Sequence, residues 1–213
     1  MSNYALSPEE LQTLASYEQI AAERAKRKSD VQWWRVPFHY FIKLLPAGLI
    51  LDIGCGNGKD ALLFRQSHAH RYIGIDMSPA MMTLARTYAP QSTFIRMNMH
   101  AMAFKSASFD GFWAAASLLH IPKYTVSSVL AEIRRVMKPC AIGFIALREG
   151  DSEEIVIGNL HGDNRFYAFY RSEEFEHILT NNGFEVIMAD RDMREYDPVN
   201  SHSAWLIFLV RTL

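Results

Sequence analysis

Three groups of residues in this chain have types and spacing that could do chemistry. The first is Gly54, Gly56 and Gly58, which alternate with other residues directly after the apolar run Leu49-Ile50-Leu51 and the acid Asp52. Glycine lacks a Cβ, so the chain can turn sharply there and a ligand can approach the backbone. Sequence compatible with a helix follows from Lys59 to Phe64. A strand, a glycine turn and a helix N-terminus together aim backbone N–H groups and a helix dipole at a polar ligand. The second is Asp76, which ends the apolar run Arg71-Tyr72-Ile73-Gly74-Ile75. It stands about 20 residues beyond the glycines, the distance at which a βαβ unit brings a carboxylate to a ribose diol. Two adjacent hydroxyls suit the two oxygens of one carboxylate. Ser78-Pro79 supplies a cap for the next helix, so Asp76 is spare for a ligand; a loop or N-cap acid is the plainer alternative. The third group is His120, able to take a proton, with Arg165, Tyr167 and Tyr170 further on. An arginine can hold a carboxylate or phosphate through paired hydrogen bonds, and the tyrosines could wall a substrate. A packing histidine and an edge strand rich in aromatics account for the same residues structurally.

These residues need elements to position them. Ser7-Pro8-Glu9-Glu10 opens a helix, with serine as N-cap, proline first and glutamate three after the cap. Its apolar stripe is Leu11, Leu14, Tyr17, Ile20 and Ala21, and it runs to about Lys28 with a basic end at Arg24, Lys26, Arg27 and Lys28 that complements the dipole. The aromatic stretch Trp33 to Ile42 reads as a core helix, with a lid as the alternative. Strands follow at Leu49–Asp52, Arg71–Asp76, Thr93–Arg96, Ser108–Ala114 and Ile142–Leu147, separated by helices at Lys59–Phe64, Ala80–Tyr88 and Val126–Lys138. The segment 148–162 is polar and harder to read, and no element is assigned to it. A helix capped by Ser172 precedes two last strands, Phe184–Met188 and Ala204–Val210, which flank a polar loop as an antiparallel hairpin. In such a sheet ligands lie outside the carboxyl ends of the strands.

Composition narrows the function classes. At 213 residues the chain suits one domain with a sizeable core. Its formal charge of −1 offers no global attraction for nucleic acid or an anionic membrane. Cys55 and Cys140 form no disulfide framework and no metal-ligand spacing, so no metal is expected and a reducing cytoplasm is the natural home. No secretory signal is visible, and the longest apolar runs have strand length. Neither nucleic acid nor membrane is expected as a partner.

The order of motifs resembles that of the class I S-adenosylmethionine-dependent methyltransferases of small-molecule type. Asp52, Gly54, Gly56 and Gly58 match the family's acid-x-Gly-x-Gly-x-Gly loop, whereas a dinucleotide fingerprint would want glycine at position 59, which is Lys59. Gly74-Ile75-Asp76-Met77-Ser78 resembles the second motif, which implies that Asp76 grips the ribose and that Met77 packs on the adenine. Asn98 and Met99 stand where the family has an acid and a backbone N–H that read the adenine, followed by Met102-Ala103-Phe104 in place of Leu-Pro-Phe. The asparagine oxygen can still accept from an exocyclic amine; a loop asparagine bonded to its own backbone is the alternative. Phe109-Asp110 heads the fourth strand as in the family, and Ala114 at its end counts with the cofactor residues. A Leu-His-His stretch occurs at the place of His120 in members of varied chemistry, and an Arg-Phe-x-x-Tyr segment, which the stretch 164–171 resembles, borders the pocket of small-molecule members. Arg135-Val136-Met137-Lys138-Pro139 resembles the family's turn, except that Cys140-Ala141 replaces two glycines. The amino-methylating Asn-Pro-Pro-Tyr motif and the Pro-Cys nucleophile of cytosine enzymes are absent. The resemblance implies a Rossmann-like α/β fold with seven strands, mostly parallel, helices on both faces and an antiparallel C-terminal hairpin. It implies a helical cap or lid over 1–46, a cofactor-binding domain over 47–213, S-adenosylmethionine as cofactor, and in-line methyl transfer to a small molecule. A catalytically silent S-adenosylmethionine-binding protein and an NAD(P)-dependent oxidoreductase are the alternatives.

Overall fold

Alternation along β1 (Gly48–Ile53) sets the architecture, because Ile50 points to one face of a sheet and Leu51 and Ile53 to the other, all three fully buried. A strand buried on both faces belongs to the middle of a parallel sheet covered by helices. In the computed structural model, which describes residues 4–26, 34–192 and 204–213, β1 is flanked in parallel by β2 (His70–Asp76) and β4 (Phe109–Ala115). The sheet continues through β3 (Thr93–Arg96) on one side and β5 (Met137–Arg148), β9 (Trp205–Thr212) and β8 (Phe184–Asp192) on the other. The strand order is β3-β2-β1-β4-β5-β9-β8, with β9 antiparallel to both neighbours. The expected seven strands and C-terminal hairpin are present; the loop expected within that hairpin lies outside the described residues.

Helices cover both faces. α2 (Arg35–Leu44) and α3 (Ala61–Gln66) pack Phe38, Phe41 and Phe64 around Trp113 of β4, which itself stacks on Phe144 at 3.9 Å between ring centroids. α5 (Lys123–Val136) and α6 (Ser172–Asn181) cover the opposite face. α4 (Pro79–Tyr88) follows β2 and is N-capped by Ser78, whose hydroxyl accepts from the Met81 N–H at 3.0 Å. Among the described residues of 1–46, α2 is therefore a core element, whereas α1 (Pro8–Lys26) packs at the carboxyl ends of the strands. Arg27, Lys28 and Trp33 fall outside the described residues.

Three expectations need correction. α1 begins with the reciprocal Ser7–Glu10 capping box expected for it, at 2.9 and 3.2 Å, yet its buried face is Glu10, Thr13, Ser16, Ile20 and Ala21, and Leu11 is exposed. Glu10 meets His100, and Thr13 and Ser16 are buried because they make hydrogen bonds to another chain segment. That segment is β7 (Asn164–Ala168), whose Phe166 N–H donates to Thr13 Oγ1 and whose Asn164 N–H donates to Ser16 Oγ, both at 3.0 Å. The stretch 148–162, read as lacking an element, contains β6 (Glu153–Ile157), which pairs with β7 in a separate antiparallel ribbon. β6 buries no face, so no hydrophobic alternation announces it. The last helix is capped at Arg171 rather than Ser172: the Glu174 carboxylate accepts from the Arg171 N–H at 3.2 Å.

Candidate active site

The loop after β1 is built for close approach. Gly54, Gly56 and Gly58 all have left-handed φ, at +73°, +53° and +74°. A Cβ at Gly54 would lie 2.4 Å from Ser117 Cβ, whereas one at Gly56 would meet nothing within 4 Å. Gly56 thus opens onto a cavity of about 460 Å³ at the carboxyl ends of β1, β2 and β4. Gly58 does not line it. A Cβ there would meet Phe94 and Ala85 at 2.7 and 2.9 Å, so this glycine permits helix–strand packing behind the loop.

Asp76, at the end of β2, is bonded to the loop it was expected to serve. One oxygen accepts from the Gly56 N–H and the other from the Ser78 N–H, each at 2.9 Å. Burial pushes its carboxyl above the usual range, opposed by those two N–H groups. It is therefore not idle in the loop, yet each oxygen keeps a lone pair for a ligand. Met77, Asn98 and Met99 line the same cavity. The Asn98 oxygen accepts from the His100 N–H at 2.9 Å, so the asparagine is fixed by its own backbone as well as facing the pocket. Ala114 lies in the core, and it is the next residues, Ala115, Ala116 and Ser117, that reach the cavity. Successive strand residues face opposite sides, so a shift of one changes the face.

Two acids sit behind the glycine loop. Asp52 accepts from the Tyr72 hydroxyl at 2.5 Å, and Asp60 accepts from the Trp113 indole N–H at 3.0 Å. Both are buried and line the cavity. Burial, then the charge of Asp60, pushes Asp52 well above the ordinary range, and burial raises Asp60 as well. Asp60 escaped the sequence reading because it follows Lys59 inside a segment that scans as helix. Ser117 also went unremarked; its buried hydroxyl has no hydrogen-bond partner.

At the far end of the cavity α1 meets β7 and the 3-10 turn Leu118–His120. His120 Nδ1 is 2.6 Å from the Phe166 carbonyl, which fixes that nitrogen as the donor. Nε2 is then an acceptor, 3.0 Å from the Tyr17 hydroxyl. Arg165 donates to the same hydroxyl at 3.2 Å and to Asp163 at 2.6 Å. Burial, then the Arg165 and Arg24 charges, pushes His120 down to about 3, so it is neutral. Arg165 and Tyr167 line the cavity, as expected. Tyr170 does not; it is fully buried, edge-on to Phe175 with the Lys123 ammonium over its ring. Tyr17 completes the cluster, and the signal for it was its place on the helix stripe next to no predicted partner.

The arrangement fits S-adenosylmethionine. Gly56 offers a cradle that any Cβ would fill, Asp76 a carboxylate for the ribose, and Ser117 an orphaned buried hydroxyl beside the loop. Among the described residues no group of three or more His, Cys, Asp or Glu side chains could hold a metal, and no helix is long and apolar enough to cross a membrane.

Comparisons with known proteins agree with this geometry. A family model described as a methyltransferase domain matches residues 50–140. O-methyltransferase rstn1 of Aspergillus nomiae is 31% identical over 147 residues, which are 65% of this chain and 64% of that protein. An O-methyltransferase of Pyrenophora dematioidea is 29% identical over 67% of this chain and 56% of its own length. The match thus spans less than two thirds of these relatives. Among solved structures, 1,6-didemethyltoxoflavin-N1-methyltransferase of Burkholderia thailandensis, with its substrate and S-adenosylhomocysteine bound, superposes with a TM-score of 0.74 at 19% identity, covering 100% of this chain and 93% of that one. In the sequence match over its central strands and in the strand order of its whole sheet, the chain is similar to the class I S-adenosylmethionine-dependent methyltransferases.

Proposed function

We propose that the chain transfers a methyl group from S-adenosylmethionine to an oxygen of a small molecule. The observation that carries this reading is a single cavity joining the glycine loop and Asp76 at one end to the Tyr17–His120 pair at the other. Relatives named as O-methyltransferases support oxygen as the acceptor atom. In this reading Gly54 and Gly56 pass the amino-acid end of the cofactor, Asp76 holds the ribose, and Met77, Asn98 and Met99 flank the adenine. The bound cofactor supplies an activated methyl on a sulfonium. The protein's task is then to align the acceptor in line with it and to exclude water, effects worth about 7 kcal/mol or more together.

α1 does the excluding. It is fastened to three parts of the rim: Glu10 to His100 at 2.5 Å, Glu18 to the Ser78 hydroxyl and the Ala80 N–H, and Tyr17 to His120. The acceptor's proton has a route through Tyr17, whose oxygen can receive it while its own proton passes to His120 Nε2. His120 alone does not face the acceptor, because the Tyr17 phenol occupies its free nitrogen. An exposed free thiol at Cys140 suits a reducing compartment, which we take to be the cytoplasm. Release of S-adenosylhomocysteine on incubation with S-adenosylmethionine and a panel of hydroxylated small molecules tests the assignment. Binding of S-adenosylhomocysteine with no turnover across the panel would favour a silent binding protein, and stabilisation by NAD or NADP instead would favour an oxidoreductase.

A further inference from the structure

The acceptor end of the cavity differs in character from the cofactor end, and the difference concerns which molecules it takes. Its walls are flat: Tyr17, Trp34, Tyr167 and Trp205 line it. Guanidinium groups lie on these rings, Arg24 and Arg165 at 5.3 and 5.4 Å from the Tyr17 centroid and Arg148 at 4.0 Å from that of Trp205. Arg165 is matched by Asp163. Arg24 has no carboxylate partner among the described residues, and its Nε is buried with no hydrogen-bond partner. The Trp205 indole N–H is likewise buried and without a partner. Both orphaned groups at this end are donors, and a buried donor left unmet costs about 1–3 kcal/mol. Water-filled or not, such a chamber favours a ligand that brings acceptor atoms and negative charge.

We infer that the methyl acceptor is a planar molecule bearing an oxyanion, seated by Arg24 and the Trp205 N–H while its hydroxyl meets Tyr17. This rests on the methyltransferase reading and narrows its substrate class. Burial first, and the Arg165 and Arg24 charges after it, hold His120 neutral; the same anion would oppose the arginine part, so the substrate's own charge would help the Tyr17–His120 pair to accept a proton.

The experiment is calorimetry on the full chain saturated with S-adenosylhomocysteine. The probes are matched pairs, salicylate against salicylamide and 4-hydroxybenzoate against 4-hydroxybenzamide, with phenyl phosphate as a separate arm. Expected is binding of at least one acid at least about tenfold tighter than its amide, a preference that weakens with salt and collapses in Arg24→Gln. Phenyl phosphate binding more tightly than either carboxylate would assign the oxyanion as phosphate. The inference is overturned if amides bind as tightly as their acids, if the preference survives in Arg24→Gln, or if none of the anions binds. S-adenosylhomocysteine affinity of Arg24→Gln reports whether the variant is folded; failure of the wild-type chain to bind S-adenosylhomocysteine would instead sink the underlying methyltransferase reading.

Discussion

Replacing Asp76 tests the site most directly. Its two oxygens already accept the Gly56 and Ser78 N–H groups at 2.9 Å, so the carboxylate shapes the glycine loop and, in the proposed reading, also holds the ribose. A hydrogen bond to a charged group is worth about 1.5–3 kcal/mol, so two from a ribose diol amount to about 3–6 kcal/mol. Asp76→Ala should therefore weaken S-adenosylhomocysteine by about 10²–10⁴-fold in calorimetry. Asp76→Asn keeps one acceptor oxygen and loses the charge, and should fall between. Loop damage and lost ribose contact are separable with adenosine and its 2′,3′-dideoxy analogue. If the carboxylate holds the diol, wild type discriminates strongly between the two and Asp76→Ala does not. A folded Asp76→Ala protein that binds S-adenosylhomocysteine within about threefold of wild type would refute the assignment.

Three other outcomes are expected. Tyr17→Phe removes the hydroxyl bridging His120 Nε2 and Arg165; kcat should fall by about 10²-fold with S-adenosylhomocysteine affinity unchanged, and a parallel loss of that affinity would place Tyr17 in cofactor binding instead. Asp60→Asn keeps an oxygen for the Trp113 N–H while removing a carboxyl whose folded-state pKa is raised. A raised carboxyl takes up protons on folding, so its ionisation lowers stability as pH rises from the unfolded value through the folded one. The variant should melt higher than wild type at neutral pH, with the gain shrinking on acidification; an equal or lower Tm at pH 7 contradicts this. Cys140 holds φ +60°, where the family's turn has glycine. Non-glycine residues pay about 1–2 kcal/mol for that conformation, and glycine's extra chain entropy returns about 0.5–1. Cys140→Gly should thus stabilise by about 0.5–1 kcal/mol in denaturant melts, and any destabilisation would show that the thiol has a packing role.

The parts of the molecule legible in the sequence are those where one physical demand dominates. The glycine alternation, the acid ending β2 and the apolar strand run before the glycines each answer to a single constraint, and each is found at the place read from the sequence. Misreadings cluster where a side chain serves a distant segment. Thr13 and Ser16 look like solvent-facing helix residues, yet they satisfy the edge of β7 about 150 positions later. Tyr170 was placed at the pocket and Ala114 at the cofactor because neither strand phase nor the ribbon's tilt is written locally. Gly58 matched its motif but packs against Phe94 and Ala85, so a motif position fixed by packing was taken for one fixed by a ligand.

α1 has a consequence for kinetics. It touches His100, Ser78, His120 and β7, which in the proposed reading border the adenine, the ribose and the acceptor, and most of these contacts are hydrogen bonds. Bonds of that kind exchange readily for water, whereas Ile20 and Ala21 anchor the helix through an apolar cluster with Met81 of α4. On the proposed reading, one strap over both ends of the cavity couples the loading and unloading of the two molecules.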